Sequence, residues 1–201
     1  LTVTGVQTCA LPISRSIATS LRPSAVVVNK STVPVGSAAI VDRIIARSDV
    51  TVVSNPEFLR EGSAVSDFLH PDRVVIGAES REAAQRVAAL YESIDAPVLL
   101  TDPASAETIK YAANAFLATK ISFVNAIAAV CEAVGADIVD VVKGLGTDKR
   151  IGAEFLRPGP GWGGSCFPKD TRALVSIAEQ GGYDFRLLRG VIASKIGRAH
   201  V

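Results

Sequence analysis

Two regimes of hydrophobic patterning meet near residue 100. Before it, apolar residues come in short β-branched runs: Ala25-Val-Val-Val-Asn29, Thr51-Val-Val-Ser-Asn55, Asp72-Arg-Val-Val-Ile-Gly77 and Pro97-Val-Leu-Leu100. Such runs are too short for helices and suit strands buried on both faces. Between them lie stretches with helical spacing, Ser37 to Arg47 with apolar Ile40, Val41, Ile44 and Ile45, and Glu79 to Ile94. Strand alternating with helix predicts an α/β domain in which ligands lie at the carboxyl ends of the strands. After residue 100 the pattern is purely helical. Asp102-Pro103 supplies a cap and a first-position proline, and no further proline or glycine occurs before Gly135. One long helix is expected there, with Ile109, Phe116, Ile121, Val124, Ile127, Cys131 and Val134 on its apolar face. A short helix is expected over Ile138 to Lys143, a turn over Gly144 to Lys149, and a helix opening near Asp170.

The segment Arg157-Pro-Gly-Pro-Gly-Trp-Gly-Gly-Ser-Cys-Phe-Pro-Lys-Asp170 obeys neither regime. Proline removes backbone donors and glycine gives up conformational entropy, so it reads as a loop. Its single thiol, Cys166, falls where the loop turns into a helix, beside Lys169, an electropositive setting that favours a thiolate. Glycine and proline density around the thiol favours a nucleophile over an inert buried cysteine.

Composition narrows the classes. The 201 residues are 48% hydrophobic, enough for a substantial core, and carry a formal charge of +1, which gives no electrostatic case for nucleic acid as a partner. Cys9, Cys131 and Cys166 are widely spaced and odd in number, suggesting neither disulfides nor a zinc site, and a reducing cytoplasm fits. No metal is expected. His70 has no ligand-spaced neighbour and reads as structural. The apolar stretch from Ala112 to Val134 is interrupted by Asn114, Lys120, Ser122 and Asn125, which favours a buried helix over a membrane span.

Several further residues sit where chemistry is possible. Ser31 and Thr32 follow the first strand on the ligand-binding edge, with a cap or turn role equally open. Glu57 and Glu61, four apart, would share a face if their loop entered a helical turn, as paired carboxylates or as a solvated surface. Lys110 and Asn114 share a face of the long helix. Trp162, the sole tryptophan, suits either the core or stacking near a ligand.

Five stretches, in order, resemble the motifs of the UDP-glucose/GDP-mannose dehydrogenase family, their UDP-glucose-oxidising branch above all. They are Lys30-Ser-Thr-Val-Pro-Val-Gly36, Asn55-Pro-Glu-Phe-Leu-Arg-Glu-Gly62, Lys110-Tyr-Ala-Ala-Asn114, the arginines Arg150 and Arg157, and Gly163-Gly-Ser-Cys-Phe-Pro-Lys-Asp170. The resemblance covers roughly residues 18 to 194. It implies oxidation of UDP-glucose to UDP-glucuronate with two NAD+, through a thiohemiacetal and a thioester on Cys166. Catalytic roles fall on Cys166, Lys110, Asn114, Asp170, Glu57 and Thr32, and the cofactor side on Thr32, Glu61 and Lys169. Substrate binding falls on Glu57, Phe58, Leu59, Lys110, Asn114, Arg150, Arg157 and Gly163, with Arg150 serving a neighbouring subunit. The family's long helix packs on its counterpart in a homodimer. No Gly-x-Gly-x-x-Gly follows a strand, and in the family that fingerprint lies N-terminal of this stretch. The expected architecture is therefore the C-terminal half of a doubly wound NAD-binding domain over residues 18–100. A central helix and an all-α dimerisation domain carrying the cysteine loop follow over 101–194.

Leu1 to Ser14 and Ile196 to Val201 resemble translated adaptor sequence. Residues 1–17 and 195–201 are accordingly expected to be a non-native leader and tail, with no function for Cys9 or His200. Two alternatives stand beside the UDP-glucose reading: a catalytically silent helical dimerisation core, and a GDP-mannose dehydrogenase.

Overall fold

A computed structural model describes residues 5–194, the side chains of residues 5–10 excepted. The expectations for the tail and His200, and for the side chain of Cys9, lie outside the described residues. The chain divides into two compact units, Leu1–Lys110 and Tyr111–Val201.

The first unit holds a sheet of β1 (Val26–Asn29), β2 (Thr51–Ser54), β3 (Val74–Ala78) and β4 (Val98–Thr101), in that spatial order. Alternate residues of β1 and β2 feed two cores, β3 adds to one of them, and β4 leaves Val98, Leu99 and Leu100 exposed. Val26, Val28, Val53, Val74 and Ile76 pack against the helix Arg81–Ala88, whereas Val27 and Val52 pack against the helix Ser37–Ile45. Helices on both faces explain why β1 and β2 read as uninterrupted apolar runs, whereas β4, expected to be buried in the same way, lies exposed at the sheet edge.

The pairing departs from a purely parallel sheet at one step. β1–β2 and β3–β4 are parallel, but β2–β3 is antiparallel. The connection between β2 and β3 holds only Ala64–Leu69, a short helix with no buried residue, so nothing crosses a sheet face to return the chain in parallel. At the start of the chain, where residues 1–17 were expected to be a non-native leader, Gly5–Ala18 forms a helix, with Leu11 packed on the core of Ser37–Ile45 and Ser14 buried.

We label the helices α1 (Gly5–Ala18), α2 (Ser37–Ile45), α3 (Ala64–Leu69), α4 (Arg81–Ala88), α5 (Pro103–Val134), α6 (Ile138–Thr147), α7 (Cys166–Gln180) and α8 (Arg186–Ala193). α5 has the expected ends. Asp102 accepts hydrogen bonds from Ser105 N (2.8 Å) and Ser105 Oγ (2.6 Å), and Gly135 follows the last turn at φ +73°, a conformation that costs other residues a steric penalty. Its start lies close on β3. A Cβ on Gly77 would stand 2.5 Å from Ala106 Cβ and 2.6 Å from the Asp102 carbonyl oxygen.

Three helical expectations change. α6 continues through Gly144 to Thr147, where Gly146 would place a Cβ 3.1 Å from Ala153, so the glycine serves packing rather than a turn. α7 begins at Cys166, four residues before Asp170, because proline at position 168 is tolerated in a first turn whose donors are free anyway. The apolar residues of α5 separate into two faces. Ala115, Ala118, Val124 and Cys131 are buried, whereas Phe116, Phe123, Val130 and Val134 are exposed along one line. α8, not anticipated from the sequence, closes the core of the second unit with Leu188 and Val191 against Trp162.

Candidate functional site

The first unit collects polar groups where its parallel strands end. Lys30, just beyond β1, donates to Asn55 Oδ1 (3.1 Å) and the Tyr91 hydroxyl (2.9 Å), and Asn55 in turn donates to the Val75 carbonyl (2.7 Å). The end of β2 is thereby fixed before it enters the extended segment 55–60. Because that segment is not helical, Glu57 and Glu61 do not share a helical face, and Glu61 is exposed. Glu57 instead accepts from the Leu59 amide (2.7 Å) and lies 3.5 Å from Lys110 Nζ. Phe58 is flanked by two cations, with Arg73 3.8 Å and Lys110 5.2 Å from its ring centroid. Lys110 is almost fully buried, so a carboxylate and an aromatic face replace water around its charge. Thr32 is half-buried in the loop after β1, and Leu59 is exposed.

One buried carboxylate in this unit was missed by the sequence reading. Glu107 accepts from Gly36 N (2.6 Å), Ala38 N (3.0 Å) and Ser54 Oγ (2.8 Å). Burial pushes its pKa above the usual glutamate value, and the hydrogen bonds from Ser54, Ala38, Gly36 and Ser37 oppose that shift. The signal was available: position 107 falls one turn before Lys110 on the same helix face. Beside Ser54 in the strand register stands Asn29, whose Nδ2 is buried with no hydrogen-bond partner among the described residues.

The second unit gathers the residues around the thiol. Cys166 is exposed at the first position of α7, with Ser165 Oγ 3.6 Å from its sulfur. Asp170, one turn along the same helix, is 0% exposed. It accepts from Asn114 Nδ2 (2.6 Å) and Lys169 Nζ (2.5 Å), so its charge is met by one neutral and one cationic donor. α5 also anchors the loop that carries the thiol. Lys120 Nζ donates to the Ile151 carbonyl (3.0 Å), Asn125 Oδ1 accepts from Gly159 N (2.8 Å), and Ser122 Oγ accepts from Trp162 Nε1 (2.8 Å). The polar interruptions of the apolar helix therefore hold the cysteine loop. Trp162 is buried, edge-on to Phe167 at 6.4 Å, so its indole serves the core. Arg157 and Gly163 are exposed, and Arg150 is exposed and paired with Asp148 at 2.6 Å.

Of the predicted residues, the structure brings Glu57, Phe58 and Lys110 together in the first unit, and Asn114, Lys169 and Asp170 in the second, with Cys166 one helical turn from Asp170. Leu59 joins the first cluster only through its amide on Glu57, and Arg150, Arg157, Gly163 and Thr32 are not drawn into either cluster by any of these bonds.

Known proteins divide the chain slightly earlier, between residues 95 and 104. Residues 8–95 match the NAD binding domain of the UDP-glucose/GDP-mannose dehydrogenase family, and residues 104–195 match that family's central domain. A UDP-glucose 6-dehydrogenase of Bacillus subtilis (strain 168) is 52% identical over 194 residues, which are 94% of this chain and 42% of the relative. A solved UDP-glucose dehydrogenase from the archaeon Pyrobaculum islandicum is 42% identical with a TM-score of 0.87, covering 94% of this chain and 45% of its own. A GDP-mannose dehydrogenase from Pseudomonas aeruginosa is 31% identical with a TM-score of 0.65, covering 94% of this chain and 46% of its own. The chain thus spans less than half the length of each of these three.

Proposed function

This chain belongs to the UDP-glucose/GDP-mannose dehydrogenase family, and from that premise we propose that it carries the thiol-bearing part of an NAD-dependent UDP-glucose 6-dehydrogenase. The observation that carries the reading is the exposed Cys166 thiol one helical turn from a fully buried Asp170, itself held by Asn114 and Lys169.

The residues at the strand ends fit a nicotinamide dinucleotide. Asn29 Nδ2 is a buried donor with no partner among the described residues at the carboxyl end of β1, and Thr32 follows three residues later. Thr32, Glu61 and Lys169 would hold the cofactor, which when bound supplies the hydride acceptor for both oxidations. The chain's own residues do the rest. Once the sugar's C6 is at the aldehyde level, Cys166 Sγ bonds the carbonyl carbon, and the thiohemiacetal oxygen is stabilised by Lys110 and Asn114. Covalent attachment keeps the aldehyde from escaping before the second oxidation. At the acyl level, water activated by Glu57 adds to the thioester, the C–S bond breaks, and carboxylate and thiol are released. Asp170 and Thr32 order water for these proton transfers. Phe58, Leu59, Gly163 and Arg157 hold the nucleotide sugar, with the arginine on its phosphates, and Arg150 reaches the site of a neighbouring subunit.

Pairing of two copies through α5 belongs to the same proposal, supported by the exposed line Phe116, Phe123, Val130 and Val134. The free thiols of Cys131 and Cys166 fit a cytoplasmic setting. UDP-glucose is favoured over GDP-mannose by the 52% and 42% identities to UDP-glucose dehydrogenases against 31% to the GDP-mannose enzyme.

Turnover can be read by grafting residues 19–194 into the matching stretch of the Bacillus subtilis relative. The expected result is two NADH formed for each UDP-glucose converted to acid. One NADH per sugar, with aldehyde as the product, or preferential oxidation of GDP-mannose, would overturn the assignment.

A further inference from the structure

We propose that Glu107 is the positioning residue that fixes the Thr32 loop, the Glu57 segment and Lys110 relative to one another. Glu107 is 3% exposed, and its carboxylate receives donors from two different parts of the first unit while being carried by a third. Gly36 N and Ala38 N open α2 at the end of the loop that contains Thr32. Ser54 Oγ ends β2, three residues before Glu57. Glu107 itself lies on α5 one turn before Lys110.

α2 needs this carboxylate. Its cap position is held by Gly36, which has no side chain to satisfy the free amides of the first turn. Glu107, 71 residues away, stands in for the missing cap and places a negative charge at the positive end of the helix. In a strand–loop–helix unit that position often receives a ligand's phosphate. Here the protein's own carboxylate fills it, so the loop after β1 is set before any ligand arrives and Thr32 meets the ligand by its side chain. The same carboxylate pins α5 to the end of β2. Ser54 is three residues from Glu57 and Glu107 three from Lys110, so the contact sets the two segments side by side where that pair stands 3.5 Å apart. The catalytic meaning of this arrangement rests on the dehydrogenase reading; the arrangement itself does not.

The test is site-resolved acetylation of the 201-residue chain, read by mass spectrometry. Lys110, buried against Glu57, should label slowly beside Lys143 and Lys149. In Glu107→Gln and Glu107→Ala, under conditions where both remain folded, labelling of Lys110 should rise about tenfold, as expected for loss of a hydrogen bond to a charged group. Lys143 should stay unchanged. Formate, which can occupy the vacated position, should restore protection in Glu107→Ala but not alter the wild type. Val53→Ala, which removes core volume from the same unit, serves as the control for general loosening. The proposal is overturned if Lys110 labels at the wild-type rate in both Glu107 variants, or if Val53→Ala exposes it equally. Neither outcome depends on turnover, so the failure of this proposal and the failure of the dehydrogenase reading remain distinguishable.

Discussion

Serine in place of Cys166 is expected to reduce acid formation by the grafted enzyme on the order of a thousandfold or more, the scale seen when a covalent nucleophile is removed. A serine hydroxyl needs a base to become nucleophilic at neutral pH. The one side-chain hydrogen bond that Cys166 makes among the described residues is with the Ser165 hydroxyl, which cannot serve as that base. The first oxidation does not need the thiol, so the variant should release aldehyde rather than fall silent. Because Cys166 is exposed, its replacement should leave the melting temperature close to that of the parent. Undiminished acid formation, measured by product analysis alongside NADH, would remove Cys166 from the mechanism.

The other large effect is on assembly. Phe116, Phe123 and Val130 are 65%, 53% and 55% exposed and recur every seven residues, with Val134 continuing the line one turn on. Seven residues are nearly two helical turns, so the four side chains form a stripe on the side of α5 away from its buried face. In a symmetric pair the same stripe meets itself, so one substitution acts twice. Phe123→Asp places a charge in each half of such an interface and should weaken dimerisation at least about a hundredfold, the cost of an uncompensated buried charge. Sedimentation should find a dimer for the parent and a monomer for the variant at the same concentration. Fluorescence of Trp162 should not change, because the indole packs on the opposite, buried side with Ala115 and Ala118. A monomeric parent, or an unperturbed dimer in the variant, would sink the assignment of this face.

Local chemistry explains what could be read from the sequence. β1 and β2 were legible as apolar runs because helices cover both of their faces, and α5 began and ended where Asp102, Pro103 and Gly135 dictate. The cysteine loop was legible for the same reason, since alternating proline and glycine exclude regular structure. What was not legible depends on partners distant in the chain. The antiparallel step between β2 and β3 is decided by whether a connection crosses the sheet, and residues 55–73 do not announce that they fail to. Phe116 and Cys131 look alike as apolar helix positions, and only packing against Leu188 and Trp162 separates the buried face of α5 from its exposed one. The place of Glu107 on the Lys110 face of α5 was legible, but its role was not, because it caps a helix 71 residues away. Glu57 and Glu61 misled in the other direction. Their spacing suggested a helical pair, but Asn55 and Pro56 hold the chain extended there, and Glu57 finds Lys110 instead.

The sugar's carbon is proposed to stay on sulfur from the aldehyde level through the second oxidation until hydrolysis. The direct measurement is the mass of the Cys166 peptide after acid quenching of the grafted enzyme with UDP-glucose and NAD+. Glu57→Gln should be used, since it slows hydrolysis of the thioester. The account predicts that this peptide carries the acylated nucleotide sugar and that hydroxylamine removes it. An unmodified Cys166 in an enzyme that still reduces NAD+ would contradict it.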